Sequence, residues 1–393
     1  MPLVRWTENE PLSARWHSES ELPPPRRLIV ADDRVRAATA HRLTAEGTAL
    51  LWRGDYHGAR QLLSALARRI DRKAPQPPDR GAAAASGASG ASAASGASAA
   101  SVASVAETFH LLRRFRAHRA RILGRLLVLL EADHSLALRR APDVRQACAD
   151  AYGPPTGPTL VPLRELLGVL GARQWREKGV DVPALGARIH PHYGVFAPVR
   201  GEYVDLVARA ALPEGRTAFD LGTGTGVLAA VLARRGLTHV TATDLSPRAR
   251  ACARDNLGRL GLTDRVTVTG PELYPPGRAA LIVCNPPWLP VRPASPLDQG
   301  VYDPGGAMLH AFLAGLPAHL EPGGEGWLIL SDLAEHLGLR TRDELLAAIG
   351  KAGLKVLGRT DTRPRHPRAN DPRDPLHAAR AAEVTSLWRL AAG

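Results

Sequence analysis

Cysteine, lysine and long apolar runs are scarce in this 393-residue chain. Its three cysteines, Cys148, Cys252 and Cys284, stand far apart. That spacing supports neither a disulfide framework nor a zinc site, so no metal is expected and a reducing cytoplasm is the expected location. No stretch reaches the run of about 18 apolar residues that a membrane-spanning helix needs. The opening residues, MPLVRWTENEPLSARW, lack the basic, apolar and small-residue order of a secretory leader. Lysine occurs only at positions 73, 178, 351 and 355, so arginine carries nearly all of the formal net charge of +13. A chain this basic is drawn to polyanions, nucleic acid foremost. Heavy use of Arg, Ala, Gly and Pro is also what a GC-rich coding sequence produces, and charge alone does not separate the two.

What is present divides the chain in two. Residues 28–73 carry apolar side chains at helix-compatible spacings, among them Leu50, Leu51, Leu62, Leu63, Leu66 and Ile70. From Lys73 to Ser104 the sequence is Pro-led and then almost wholly Ala, Gly and Ser. It has nothing large to bury, and it reads as a flexible insertion at about 74–105. Glu107 to Asp133 follows a helical pattern, with Leu112, Phe115, Ile122 and Leu126 on one side and Arg113, Arg114, Arg116, Arg119, Arg121 and Arg125 on the other. The arginines suit phosphate contacts, or equally a solvated helix face. Residues 1–185 are therefore expected to form a mainly helical recognition domain. From about residue 186 to 393, apolar runs and helical patterns alternate. That regularity predicts an α/β domain built on a doubly wound, mostly parallel, seven-stranded sheet, with the last two strands antiparallel for want of a crossover helix.

The first strand of that region ends in FDLGTGTG. Glycines at 222, 224 and 226, with Thr223 among them, allow positive φ and leave no Cβ between backbone and ligand. A dinucleotide fingerprint spaces its glycines G-x-G-x-x-G; here the spacing is G-x-G-x-G, two residues after Asp220. An anionic ligand needs no Asp beside it, whereas a cationic amino-acid end would welcome one. Asp244, in TDLSP, ends the next strand beside Leu245, and its carboxylate can take both hydroxyls of a ribose; Ser246 before Pro247 suits the helix cap better. A ligand with a ribose and a positively charged amino-acid end is S-adenosylmethionine. Glu272, after the third strand, can accept from an adenine amino group, with Leu273 against the ring.

The fourth strand ends in CNPPW. Asn285 can accept and donate. Pro286 and Pro287 fix φ and have no N–H, so the turn is stiff and its carbonyls are unspent acceptors. Trp288 offers a flat face. These parts fit a planar group bearing an NH₂: Asn285 Oδ1 and the Pro286 carbonyl accept its two hydrogens and aim its nitrogen at a methyl sulfonium.

FDLGTGTG, TDLSP and CNPPW, in that order, resemble the class I S-adenosylmethionine-dependent methyltransferases. More narrowly they resemble the small-domain amino-methyltransferases, which include the glutamine methyltransferases of peptide release factors and the guanine-N2 methyltransferases of ribosomal RNA. The resemblance covers about residues 186–393. It implies that Asp220, Gly222, Gly224 and Gly226 hold the methionine end, Asp244 the ribose, and Asn285, Pro286, Pro287 and Trp288 the acceptor nitrogen. It also implies that Tyr193 to Arg200 covers the cofactor, with Phe196 as a contact. The expected activity is N-methyl transfer to a nucleobase of RNA, ribosomal RNA in particular, or of DNA. The alternatives are N5-methylation of a protein glutamine, and an inactive binding module. A nicotinamide oxidoreductase is excluded by the glycine spacing.

Overall fold

A computed structural model describes residues 2–75, 94–293, 298–365 and 371–393, with residues 94–104 as backbone only. Most of the Ala/Gly/Ser insertion thus lies outside the described residues. The described residues divide into two compact units, 2–75 with 110–174, and 94–109 with 175–293, 298–365 and 371–393. Residues 175–185 accordingly group with the second unit, where the sequence reading placed them in the first.

The N-terminal unit is not mainly helical. Six strands, β1 (Leu3–Thr7), β2 (Pro11–Trp16), β3 (Arg27–Ala31), β4 (Thr48–Trp52), β5 (Leu126–Leu130) and β6 (Thr159–Pro162), form a mixed sheet in the order β1-β2-β6-β5-β4-β3. Helices α1 (Ala37–Ala45), α2 (Tyr56–Asp71), α3 (Ala94–Leu123), α4 (Arg145–Tyr152) and α5 (Leu163–Lys178) run between and after its strands. The reason for the difference is burial. Every residue of β4 and β6 is buried, so these strands show no alternation of apolar and polar residues. A short continuous apolar run cannot be told from a piece of helix by period. Leu50 and Leu51, read as a helix face, lie fully buried in β4. Helix α3 also starts earlier than expected, at Ala94. Alanine is the best helix former, and here it outweighs the interspersed Gly and Ser once the amphipathic turns beyond Glu107 anchor the helix.

The second unit begins with a short hairpin, β7 (Val180–Val182) and β8 (Ala187–Ile189), and helix α6 (Glu202–Arg209). Then come β9 (Thr217–Leu221), α7 (Val227–Arg234), β10 (His239–Thr243), α8 (Pro247–Arg259), β11 (Val266–Thr269), β12 (Ala279–Cys284), α9 (Ala307–His319), β13 (Leu320–Ser331), α10 (Leu333–His336), α11 (Arg342–Lys351), β14 (Leu354–Thr362), α12 (His377–Ala382) and β15 (Thr385–Ala392). The seven-stranded sheet has the order β11-β10-β9-β12-β13-β15-β14. It is parallel from β11 to β13, and β15 pairs antiparallel with both β13 and β14. The doubly wound α/β sheet expected from the alternating pattern is present, including its antiparallel end. One buried cluster, around Val231, Leu281 and Trp327, and another, around Phe312, Ile282 and Leu328, fill the two sides.

This order fixes where a ligand can sit. The chain leaves β9 for β10 on one side and later returns to place β12 on the other. The gap beyond the carboxyl ends of β9 and β12 is therefore a topological switch point, the usual crevice of an open α/β sheet.

Candidate functional site

Register brings the three sequence motifs to one level. Leu221, the last residue of β9, is opposite Cys284 of β12 on one side and Thr243 of β10 on the other. The glycine turn, Asp244 and Asn285 thus leave three adjacent strands side by side.

All three glycines have left-handed backbones, with φ of 73° at Gly222, 56° at Gly224 and 81° at Gly226. They do different work. A Cβ at Gly222 would meet Met308 of α9, and one at Gly226 would meet Ala253 of α8, so these two are packing positions. A Cβ at Gly224 would meet nothing within 4 Å: this glycine faces open space. The turn is laced to its neighbours. Gly222 and Thr223 N–H both donate to the Thr243 carbonyl, at 2.9 and 2.8 Å. Asp244 Oδ2 accepts from Gly224 N–H at 2.9 Å, and its Oδ1 accepts from Ser246 N–H at 2.8 Å. Ser246 itself caps α8, as its sequence position predicted.

Asp220 is buried, and its Oδ2 accepts from Thr223 Oγ1 at 2.6 Å and from Ala229 N–H at 3.0 Å. Burial pushes its carboxyl up to about 6 against the pull of these two donors, and the nearby Asp244 charge adds to the rise. Burial raises Asp244 as well. Two half-frustrated acids at neighbouring strand ends would gain from a cationic group between them. Leu245, beside Asp244, is a 78% exposed leucine on an otherwise packed sheet end. Open space at Gly224, an acid at each of two strand ends and an exposed leucine fit the methionine end, ribose and base of S-adenosylmethionine. Glu272 is exposed and Leu273 partly buried beyond β11, where the Leu273 carbonyl accepts from Thr243 Oγ1.

On the β12 side, Cys284 is fully buried and burial holds its thiol far above the ordinary range, so it is no thiolate nucleophile. Asn285 and Trp288 are partly exposed. Trp288 is not a free platform: its indole N–H donates to Asn285 Oδ1 at 2.9 Å, and the Arg200 guanidinium lies 5.1 Å from its ring centre. Phe196 is 43% exposed and packs at Gly300, in the stretch after the proline turn. Sequence reasoning placed Arg200 only at the end of the covering segment and missed that it bridges Glu202 and Glu383; it also missed Asn256, whose amide reaches the Thr225 carbonyl. No local motif marks them; Arg200 and Glu383 are 183 positions apart.

Residues 187–350 match the family model described as methyltransferase small domain. That stretch, under half of the chain, is thus similar to methyltransferase small domains. The class I S-adenosylmethionine-dependent resemblance drawn from the motifs stands, and S-adenosylmethionine is the cofactor of such domains. The release factor glutamine methyltransferase of Cereibacter sphaeroides is 36% identical over 180 residues, which are 42% of this chain and 63% of that protein. The ribosomal protein L11 methyltransferase of Vibrio cholerae is 35% identical over 95 residues, 24% of this chain and 32% of that protein. The chain thus spans less than two thirds of either relative. A solved methyltransferase from Pyrococcus furiosus is 19% identical, with a TM-score of 0.39 over 58% of this chain and 99% of its own.

The N-terminal unit contributes a separate feature. A cavity of about 570 Å³ is lined by Ala37, Ala65, Arg68, Arg69, Asp71 and Arg72. Asp71 is paired with Arg119. The other three arginines have no carboxylate partner among the described residues. Burial and the nearby charges of Arg69, Lys73 and His118 lower the pKa of His41. Among the described residues no helix is long and apolar enough to cross a membrane, and no three His, Cys, Asp or Glu side chains group as a metal site.

Proposed function

We propose that this chain is an S-adenosylmethionine-dependent N-methyltransferase acting on a planar amino or amide nitrogen, with an RNA base, ribosomal RNA in particular, as its acceptor. The observation that carries this reading is the register of Leu221 with Cys284, which puts an open glycine turn beside an Asn-Pro-Pro-Trp turn. Asp220, Thr223, Gly222, Gly224 and Gly226 hold the methionine end. Asp244 holds the ribose, with Leu245, Glu272 and Phe196 toward the base. When bound there, S-adenosylmethionine would supply a methyl group on a sulfonium, with a neutral thioether as the leaving group.

The chain's own task is orientation. Asn285 Oδ1 and the Pro286 carbonyl each accept one N–H of the incoming group. This turns the nitrogen lone pair toward the methyl carbon, and the partial positive charge building on nitrogen strengthens both hydrogen bonds in the transition state. As the N–C bond forms, the C–S pair stays on sulfur, and the surplus N–H proton passes to water. Such transfer is catalysed by positioning and local electrostatics.

The unneutralised arginines around the N-terminal cavity favour RNA, because phosphate contacts supply most of the affinity for nucleic acid. The likeness to a release factor glutamine methyltransferase favours a second acceptor, a protein glutamine, whose side-chain amide is also planar and bears an NH₂. The test is methyl transfer from labelled S-adenosylmethionine into fractionated RNA, DNA and protein. Label in RNA, lowered by about a hundredfold in Asn285→Ala with cofactor affinity little changed, is the expected result. Label confined to protein transfers the activity to the second acceptor; label in none overturns the assignment.

A further inference from the structure

We propose that Trp288 and Arg200 are positioning residues that lock the Asn285 amide with its oxygen toward the acceptor, so that the fourth motif position works here through its N–H. The inference rests on Asn285 being the acceptor-binding amide. An asparagine side chain has two ends of nearly equal shape and opposite polarity. Only the oxygen end can receive an N–H from the incoming group, and nothing in the proline turn itself decides which end faces it.

The indole decides. Trp288 Nε1 is a donor only, and it sits 2.9 Å from Asn285 Oδ1. With the amide reversed, two N–H groups would face each other. The hydrogen bond uses one lone pair of Oδ1 and leaves the other for a single substrate N–H, while the second substrate N–H goes to the Pro286 carbonyl. A phenylalanine at this position has no donor, and a tyrosine carries its O–H at the tip of the ring, away from where the indole N–H lies.

The indole is itself held. Its ring packs partly against the clusters on both sides of the sheet. The Arg200 guanidinium covers it at 5.1 Å. Arg200 Nε donates to Glu202 Oε1 at 2.8 Å, and its NH2 group donates to Glu383 Oε1 at 2.9 Å. Both carboxylates are nearly inaccessible, at 4% and 2% exposed, and Ser331 Oγ donates to Glu383 Oε1 at 2.7 Å. Carboxylates from the start of α6 and from the end of α12 thus converge on one guanidinium, Ser331 at the end of β13 braces the second of them, and the guanidinium closes over the indole. A ring that merely filled space would need neither its N–H aimed at the motif asparagine nor a cation fixed by two buried acids above it.

The test uses the full chain labelled with ¹⁵N. Seven tryptophans give seven indole N–H signals, and Trp288→Phe identifies the one to follow. In Asn285→Ala that signal should shift and its exchange with water should quicken; an unchanged signal overturns the proposal. Trp288→Phe keeps the ring and loses the donor. It should slow transfer of labelled methyl by about tenfold while changing the calorimetric S-adenosylmethionine affinity by less than about twofold. Arg200→Lys, which keeps the charge but not the two-carboxylate bridge, should slow transfer by a smaller factor and broaden the same indole signal. Wild-type turnover in Trp288→Phe overturns the proposal. If the unaltered chain neither binds the cofactor nor transfers methyl, the methyltransferase reading fails on its own, and the indole arm still decides whether Trp288 holds the amide.

Discussion

Asp220 shows how single residues in this site trade stability for ligand affinity. Its folded-state carboxyl titrates at about 6, above the ordinary 3.8, because it is buried. The folded chain therefore holds a proton that the unfolded chain has lost between those two values. Ionisation of Asp220 weakens the fold as pH rises through that window, by on the order of 3 kcal/mol once complete, and below about pH 4 the penalty is absent. Asp220→Asn removes the charge and keeps an oxygen for Thr223 and Ala229. Its melting temperature should match the parent near pH 4 and exceed it by a few degrees above about pH 7. In the same window the parent should lose S-adenosylmethionine affinity as pH falls, since protonation removes the charge offered to a cationic group. Melting curves and calorimetry across pH check both; a difference in melting temperature that does not vary with pH contradicts the account. The positions of Asp220, Asp244 and Asn285 at the ends of neighbouring strands were legible because each stands in a recognisable string. The role of Arg200 was not, because Glu383 and Trp288 become its neighbours only through folding.

Whole elements were legible where their pattern was unambiguous. From β9 to β15 the alternation of apolar runs and helical spacings gave every strand and the helices α7, α8, α9 and α11 to within a few residues; the short α10 and α12 went unread, and α12 lies between the last two strands, where no helix was expected. An exception is β13, which starts at Leu320, six residues ahead of the apolar run at Gly326, because Gly323 and Gly324 continue a strand that their composition disguises. In the N-terminal unit the same logic failed at β4, β5 and β6, whose near-continuous apolar runs adjoin helical patterns and borrow their period. Elements also hold the cleft through single ties. Asn256 of α8, 1% exposed, donates to the Thr225 carbonyl of the glycine turn and accepts from His190 N–H at 2.7 Å, just ahead of the segment expected to cover the cofactor. Asn256→Ala should cost about 2 kcal/mol in urea unfolding and loosen cofactor binding together, because it leaves buried backbone groups unpaired. Unchanged stability would show that the tie carries nothing.

At the scale of the molecule, a net charge of +13 gives long-range attraction to polyanions wherever it is spread. The cavity of the N-terminal unit gathers Arg68, Arg69 and Arg72, and local concentration is what separates a binding surface from composition. Replacing these three by Gln should weaken binding of a labelled ribosomal RNA hairpin and flatten its salt dependence. Replacing Arg5, Arg15 and Arg27 of the first three strands, an equal loss of charge elsewhere on the same unit, should do much less. Equal effects in a filter-binding titration would mean that bulk charge alone is felt. The central claim, however, concerns the other unit: turns leaving three neighbouring strands open on one cofactor cleft at Gly224. Titration calorimetry with S-adenosylmethionine tests it most directly. One site per chain is expected, lost or weakened by about a hundredfold in Gly224→Ala, whose methyl group would enter the open space, while the chain stays folded with a left-handed alanine costing about 1–2 kcal/mol. No binding at millimolar cofactor, or equal binding by a folded Gly224→Ala chain, would contradict it.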